Sequence, residues 1–91
     1  MSYTIVLTEQ AEQDLKNLEK SEPKAYKKAI CLIENISETP KGGIGKPKPL
    51  KGSKSGLYSR RISQKHRLIY KIEEDKVIII ILSAYGHYDD R

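Results

Sequence analysis

The first half of the chain contains one strand-like segment and two stretches of helical periodicity. Residues 3–7 are mostly β-branched or aromatic, the residue types that are enriched in strands. In the two later stretches, apolar residues recur every three or four positions, which predicts one apolar face on each of two helices. These residues are Ala11, Leu15 and Leu18, followed by Tyr26, Ala29, Ile30, Ile33 and Ile36. Thr8 and Ser21 are predicted to cap the helices, and Pro23 fits a first helical turn. The second helix is expected to stop before residue 39, so the pattern predicts a helical hairpin.

The second half of the chain is predicted to form a sheet. Residues 41–56 hold five glycines and two prolines and are typical of a loop, with a short strand around 49–51. Residues 57–62 and 66–72 are strand-like and flank a tight turn at 63–65. Residues 77–84 are apolar on both of the faces that alternate along a strand, which predicts a central strand buried on two sides.

This order of elements predicts an α+β fold. The N-terminal strand and the helical hairpin are expected to pack on one face of a small, mainly antiparallel twisted sheet. A length of 91 residues is enough for one domain, and no repeat divides it, so residues 1–91 are expected to form that domain.

Composition argues against a membrane span, an export signal, an internal disulfide and a structural metal. The longest unbroken apolar run has six residues (77–82), whereas a membrane helix needs about 20. The first residues carry no export signal, so a cytoplasmic protein is expected. One cysteine, Cys31, cannot form an internal disulfide, and it is expected to be a core thiol on the second helix. No Cys/His cluster suggests a structural metal.

The basic residues are concentrated in one segment. The chain has 17 Lys and Arg against 12 Asp and Glu, and residues 41–71 contain ten of the basic residues and no acidic one. Two or three of these ten basic residues can be explained as lysines that only solvate loops and strand edges. Ten without an acid indicate a polyanionic partner, most often a nucleic acid.

Two arginines are predicted to face each other across the strand hairpin. If the turn at 63–65 has three residues, Arg61 lies opposite Arg67. Like charges directly across a sheet destabilise it unless an anion lies between them, so the pair would form a phosphate clamp. The alternative is two exposed strand arginines without a ligand.

The histidines suggest two different roles. His87 and Tyr88 follow the most apolar strand, and an imidazole can exchange a proton near neutral pH. An ordinary surface histidine is the alternative for His87. His66 lies between Lys65 and Arg67, where a role in RNA binding is favoured over proton transfer.

Several motifs together resemble the YoeB/Txe toxins of the RelE superfamily, over most of residues 45–88. The motifs are GKPKPLK at 45–51, SGLYSRRI at 55–62, HRLIY at 66–70 and the pair His87-Tyr88. The resemblance implies the RelE-like microbial RNase fold. It also implies the toxin of a type II toxin–antitoxin system, a ribosome-dependent endoribonuclease that cleaves mRNA without a metal or other cofactor.

The resemblance also implies site residues and partners. The implied catalytic residues are Arg67, His87, Tyr88 and the residue between two prolines, here Lys48. The implied RNA-binding residues are Lys46, Lys51 and Arg61. The partners would be the ribosome, mRNA and a cognate antitoxin of the YefM/Axe type. The acidic, partly disordered segment of the antitoxin would cover the basic groove or block the His87 end. The resemblance leaves room for a homodimer.

One departure from the family pattern leaves the mechanism open. The family has an acidic residue where this chain has Lys48, and an ammonium group is protonated at neutral pH. Either crowding by other cations makes Lys48 a neutral base, or Lys48 only binds phosphate. Two other functions also stay open, namely a non-catalytic RNA- or ribosome-binding module and an interaction toxin related to the gyrase-inhibiting, ParE-like toxins.

Overall fold

A five-stranded mixed sheet carries two helices on one of its faces in the computed structural model, which describes residues 3–43, 48–50 and 56–85. The helices are α1 (Glu9–Ser21) and α2 (Pro23–Glu38). The strands are β1 (Thr4–Leu7), β2 (Lys48–Pro49), β3 (Leu57–Arg61), β4 (Arg67–Glu73) and β5 (Ile78–Ser83). Their order in the sheet is β1-β5-β4-β3-β2, with β1 parallel to β5 and every other pair antiparallel. The predicted α+β fold is confirmed. The N-terminal strand was expected to pack on the face of the sheet with the helices, but it is an edge strand of the sheet itself, because its backbone pairs with β5.

Local chemistry explains where the helices begin. The Thr8 hydroxyl accepts the Ala11 N–H at 3.1 Å and caps α1 as predicted, and it also donates to the Ile81 carbonyl at 3.0 Å. The predicted cap at Ser21 is wrong, because Ser21 is the last residue of α1 and Glu22 is the N-cap position of α2. The Glu22 side chain does not cap the helix, since it bonds instead to His66, the residue that precedes β4.

The core lies between the helices and the sheet. The predicted α1 face is buried, but on α2 the buried face is rotated towards Ala25, Ala29, Leu32 and Ile36. The helices meet Leu68, Tyr70, Ile79 and Ile81 of the sheet. Neither helix of the described residues has the length and apolar character needed to cross a membrane.

Two expectations about burial are wrong. Cys31 is exposed, because it lies two residues from buried Ala29 and therefore about 200° around the helix. β5 lies inside the sheet as predicted, but it is fully buried on one side only. Ile79 and Ile81 face the helices, whereas Ile78 and Ile80 are half-buried on the other face.

The connection that follows α2 is held by a buried arginine. Arg60 is fully buried, and its Nη1 donates to Asn35 Oδ1 at 2.6 Å. Its Nη2 donates to the carbonyls of Thr39 and Gly42, both at 2.5 Å. Its Nε donates to the Tyr70 hydroxyl at 3.1 Å. These bonds join the end of α2 to β3 and β4.

Tyr70 and Gly43 complete this arginine site. Burial raises the pKa of Tyr70, so the hydroxyl stays protonated and donates to the Pro40 carbonyl at 2.7 Å. Gly43 has a φ of +93°, and a Cβ there would lie 2.1 Å from Asn35 Oδ1. Any side chain at position 43 would therefore displace the amide that binds Arg60.

We expect Arg60→Ala to lower the free energy of unfolding by about 3 kcal/mol or more, because it leaves a cavity at a fully buried position and removes the hydrogen bonds that join the end of α2 to β3 and β4. Urea unfolding followed by circular dichroism measures this. Arg61→Ala is the matched control, since Arg61 is exposed and its loss should cost about 0.5 kcal/mol or less. Equal losses for the two variants would contradict a structural role specific to Arg60.

Candidate nucleic-acid interface

Three basic residues of the predicted site lie on the face of the sheet that is opposite the helices. The register pairs Arg61 with Arg67 and Lys48 with Ser59. Directly paired residues lie on the same face, and Ser59 is two residues from Arg61, so Lys48 lies on the same face as both arginines. We call these three residues the cationic face.

The two arginines lie at the turn end of the β3–β4 hairpin, in the register that the sequence predicted. The Ile62 N–H donates to the His66 carbonyl at 3.0 Å, which makes the next pair, Arg61 and Arg67, the more closely spaced kind of antiparallel pair. Arg61 is exposed and Arg67 is half-buried. The Arg67 Nη1 donates to the Ser63 carbonyl at 3.0 Å, which turns the guanidinium towards the hairpin turn.

The charges of this pair are not neutralised by acids of the described residues. The ion pairs of those residues involve Lys41 with Glu74, Lys71 with Glu73, and His66 with Glu22. Lys71 lies on the same face of β4 as Arg67, four residues along, but its ammonium lies 3.0 Å from Glu73. Positive charge is therefore concentrated at the Arg61–Arg67 end of the hairpin, where a phosphate would relieve the repulsion.

The centre of the same face is neutral and covered. Ser59 pairs with Lys48 on one side and with Ile69 on the other, and both Ser59 and Ile69 are buried. Lys48 is exposed on β2, so it is available to an anion from the side of the sheet.

The structure brings together only part of the predicted site. Lys48, Arg61 and Arg67 share one face. Four other predicted residues lie outside the described residues, so their roles stay predictions: Lys46, Lys51, His87 and Tyr88.

His66 is placed differently from its predicted role in direct RNA contact. Its ring is only 3% exposed and lies on the helix side of β4. His66 Nε2 lies 2.7 Å from Glu22 Oε2, and the ring centroid lies 4.4 Å from that of Tyr85. The hydrogen bond from His66 lowers the pKa of Glu22, and the nearby charges of His66 and Lys65 act in the same direction.

A second buried acid holds the end of β5. Asp14 is 4% exposed, and its Oδ2 accepts the Ala84 N–H at 2.9 Å. Its Oδ1 accepts the Gln10 Nε2–H at 2.7 Å. Sequence reasoning missed Asp14, although its position beside Leu15 on the apolar face of α1 was a signal. Glu22 and Tyr85 gave no comparable signal.

The fold is that of toxins from bacterial toxin–antitoxin systems. A YoeB/ParE toxin from Agrobacterium tumefaciens superposes with a TM-score of 0.87 at 32% identity, over 93% of this chain and 99% of that chain. A YoeB dimer from Staphylococcus aureus gives a TM-score of 0.83, and YoeB in a heterotetrameric YoeB–YefM complex from the same organism gives 0.81. Both are 36% identical, and each match covers 97% of this chain and 100% of that chain.

The sequence narrows this class to one family. Residues 7–88 match the family model of the YoeB-like toxin of bacterial type II toxin–antitoxin systems. Toxin YoeB of Streptomyces coelicolor is 40% identical over 84 residues, which is 92% of this chain and 98% of the relative. The chain belongs to the YoeB family, as the motifs between residues 45 and 88 predicted.

We expect the Glu22–His66 bond to make stability depend on acidity. Because the pKa of Glu22 is lowered from 4.5 on folding, its carboxylate contributes stability above that pH and loses it as the pH falls through the lower folded value. Glu22→Gln should therefore be less stable than wild type at neutral pH, and the difference should shrink below pH 4.5.

Urea unfolding of wild type and variant at several pH values measures the difference. Glu19→Gln removes an exposed carboxylate from the same helical hairpin and serves as the control. A Glu22→Gln deficit of the same size at neutral and acidic pH would contradict this assignment.

Proposed function

We propose that this toxin is a metal-free endoribonuclease that cleaves mRNA on the ribosome and so inhibits translation. The observation that carries the proposal is Arg61 directly opposite Arg67, on the same face as Lys48 and without an acidic partner among the described residues. Two planar guanidinium groups held in this way fit the oxygens of one phosphodiester. Membership of the YoeB family supports RNA as the source of that phosphate.

The reaction uses the RNA's own 2′-hydroxyl as nucleophile. Its oxygen forms a bond to the adjacent phosphorus while the bond from phosphorus to the 5′-oxygen breaks. The products are a 2′,3′-cyclic phosphate, which can hydrolyse to a 3′-phosphate, and a 5′-hydroxyl end. The reaction needs a base for the 2′ proton, cations for the charge that develops on the phosphate, and an acid for the 5′-oxygen.

The residues divide these tasks. Arg67, with Arg61 beside it, stabilises the developing negative charge. His87 donates the proton to the 5′-oxygen, and Tyr88 holds the substrate or the imidazole. Lys46 and Lys51 add to RNA binding by charge. The assignments to His87, Tyr88, Lys46 and Lys51 rest on the sequence motifs.

Lys48 has one of two roles in this mechanism. It accepts the 2′ proton if it is neutral when RNA is bound, or it binds phosphate as an ammonium and leaves the base to another group. Its exposed position on the face of the arginines supports contact with the RNA in both cases.

A non-catalytic RNA- or ribosome-binding module is the second candidate function, and the lysine at the position where the family has an acid favours it. The cationic face alone would be enough for such binding. Only the nuclease generates new 5′-hydroxyl ends in mRNA, so product analysis separates the two functions.

The partners follow from family and charge. An antitoxin of the YefM type is proposed, because a YoeB–YefM complex exists for the similar chain from Staphylococcus aureus. An acidic segment of that antitoxin would complement the cationic face. A YoeB dimer from the same organism supports a homodimer as one form of this chain.

We expect Arg67→Ala to lower the rate of mRNA cleavage on ribosomes by about 10²- to 10³-fold, the usual effect of removing one charge-stabilising donor. The measurement is single-turnover cleavage of a labelled mRNA. Lys71→Ala is the matched control on the same strand and face, since Lys71 is already bonded to Glu73, and it should change the rate less than about threefold. Wild-type protein that arrests translation without producing 5′-hydroxyl ends would overturn the nuclease proposal.

Lys48→Glu separates the two roles of Lys48. If Lys48 is the base, the carboxylate should keep the reaction going with a pH optimum shifted downwards, because a carboxylate loses its proton at lower pH than an ammonium. If Lys48 only binds phosphate, cleavage should become faster while RNA affinity falls. The pH profile of cleavage and the salt dependence of binding, measured together, distinguish these results.

A further inference from the structure

A cluster outside the proposed reaction lies directly behind Arg67. His66 directly precedes Arg67, the first residue of β4, and the alternation of side chains where the strand begins sends the two to opposite sides of the sheet. The His66 ring is buried between Glu22 and Tyr85, at 2.7 Å from the carboxylate and 4.4 Å between ring centroids.

This cluster joins three separate parts of the chain. Glu22 is the single residue between α1 and α2. Tyr85 follows β5 and precedes His87 by two residues. His66 itself closes the hairpin turn, because its carbonyl accepts the N–H groups of Ile62 and Ser63 at 3.0 and 3.2 Å.

The Arg67 side chain depends on the same turn. Its Nη1 donates to the Ser63 carbonyl at 3.0 Å, and the Ser63 hydroxyl accepts the His66 N–H at 3.3 Å. A shift of the His66 ring would therefore move both the backbone of Arg67 and the acceptor of its guanidinium.

The two described residues that follow β5 are each held by a contact. Asp14 holds the backbone at Ala84, and the His66 ring contacts the side chain of the next residue, Tyr85. Tyr85 is 45% exposed, and its ring contact with His66 restrains the direction of its side chain.

We propose that Glu22 and His66 are positioning residues, which hold Arg67 and the segment 84–85 that precedes His87 in a fixed mutual arrangement. Glu22 accepts the His66 Nε2–H and thereby fixes the ring. The ring in turn fixes the hairpin turn on one side and Tyr85 on the other. The inference rests on the proposed nuclease function, because it assigns the pair to the geometry of that reaction.

The test compares Glu22→Ala, Glu22→Gln and the control Glu19→Ala in cleavage of mRNA on ribosomes. Glu22→Ala should lower kcat about tenfold with KM changed less than about twofold, since misplacement of a catalytic group affects the transition state more than binding. Glu22→Gln keeps an acceptor for Nε2–H and should restore kcat to within about threefold of wild type. Glu19→Ala should be unchanged.

Circular dichroism at the assay temperature establishes the folded fraction of each variant. An unchanged kcat in folded Glu22→Ala, a rise in KM alone, or a loss equal to the unfolded fraction would overturn the proposal. Tyr85→Leu provides a second test that leaves the Glu22–His66 pair intact. It should lower kcat in the same way, and a normal kcat would exclude transmission through Tyr85.

Failure of the nuclease proposal is distinguishable from failure of this inference. Wild-type protein that makes no cleavage products overturns the former. The NMR chemical shifts of the Arg67 and His87 backbone amides test the positioning inference without an activity assay. Both amides should shift in Glu22→Ala and stay in place in Glu19→Ala, and unshifted amides in Glu22→Ala would overturn the inference.

Discussion

The burial of the Arg60 guanidinium is the constraint on which the rest of the structure depends. A charge removed from water is tolerated only where hydrogen bonds replace the lost hydration. Here the acceptors come from the end of α2, from the connection behind it and from β4. The helix side and the sheet must therefore form together. With Arg60 fixed inwards, alternation along β3 fixes Arg61 outwards, on the face where we place the RNA.

The same principle operates on the opposite strand. His66 points inwards to Glu22, and Arg67 therefore points outwards beside Arg61. Each functional arginine thus has a buried polar neighbour whose hydrogen bonds come from the helical layer. The two layers act as one unit, in which the helices determine the orientation of charges that lie on the far side of the sheet.

The sequence predicted what depends on neighbouring residues. Helical periodicity located α1 and α2, and the three-residue turn gave the pairing of Arg61 with Arg67. Burial of Arg60 and His66 could not be predicted, because their partners are distant in sequence, as Glu22 is from His66 by 44 positions. The parallel pairing of β1 with β5 could not be predicted for the same reason, since the two strands are distant in sequence.

The burial of Cys31 and of the outer side of β5 was predicted wrongly, because apolar composition does not reveal which face is covered by another layer. His87 and Tyr88 lie outside the described residues, so that part of the site rests on motif alone.

The pairing of β1 with β5 has a consequence for folding during synthesis on the ribosome. Val6 pairs with Ile80, and these partners are separated by more than seventy positions. As the polypeptide leaves the ribosome, β1 emerges early but has no neighbour to bond with until β5 has also been synthesised. Contacts of such long range form slowly. The hairpin that bears the arginines can close earlier, but the complete sheet cannot form until β5 has been synthesised.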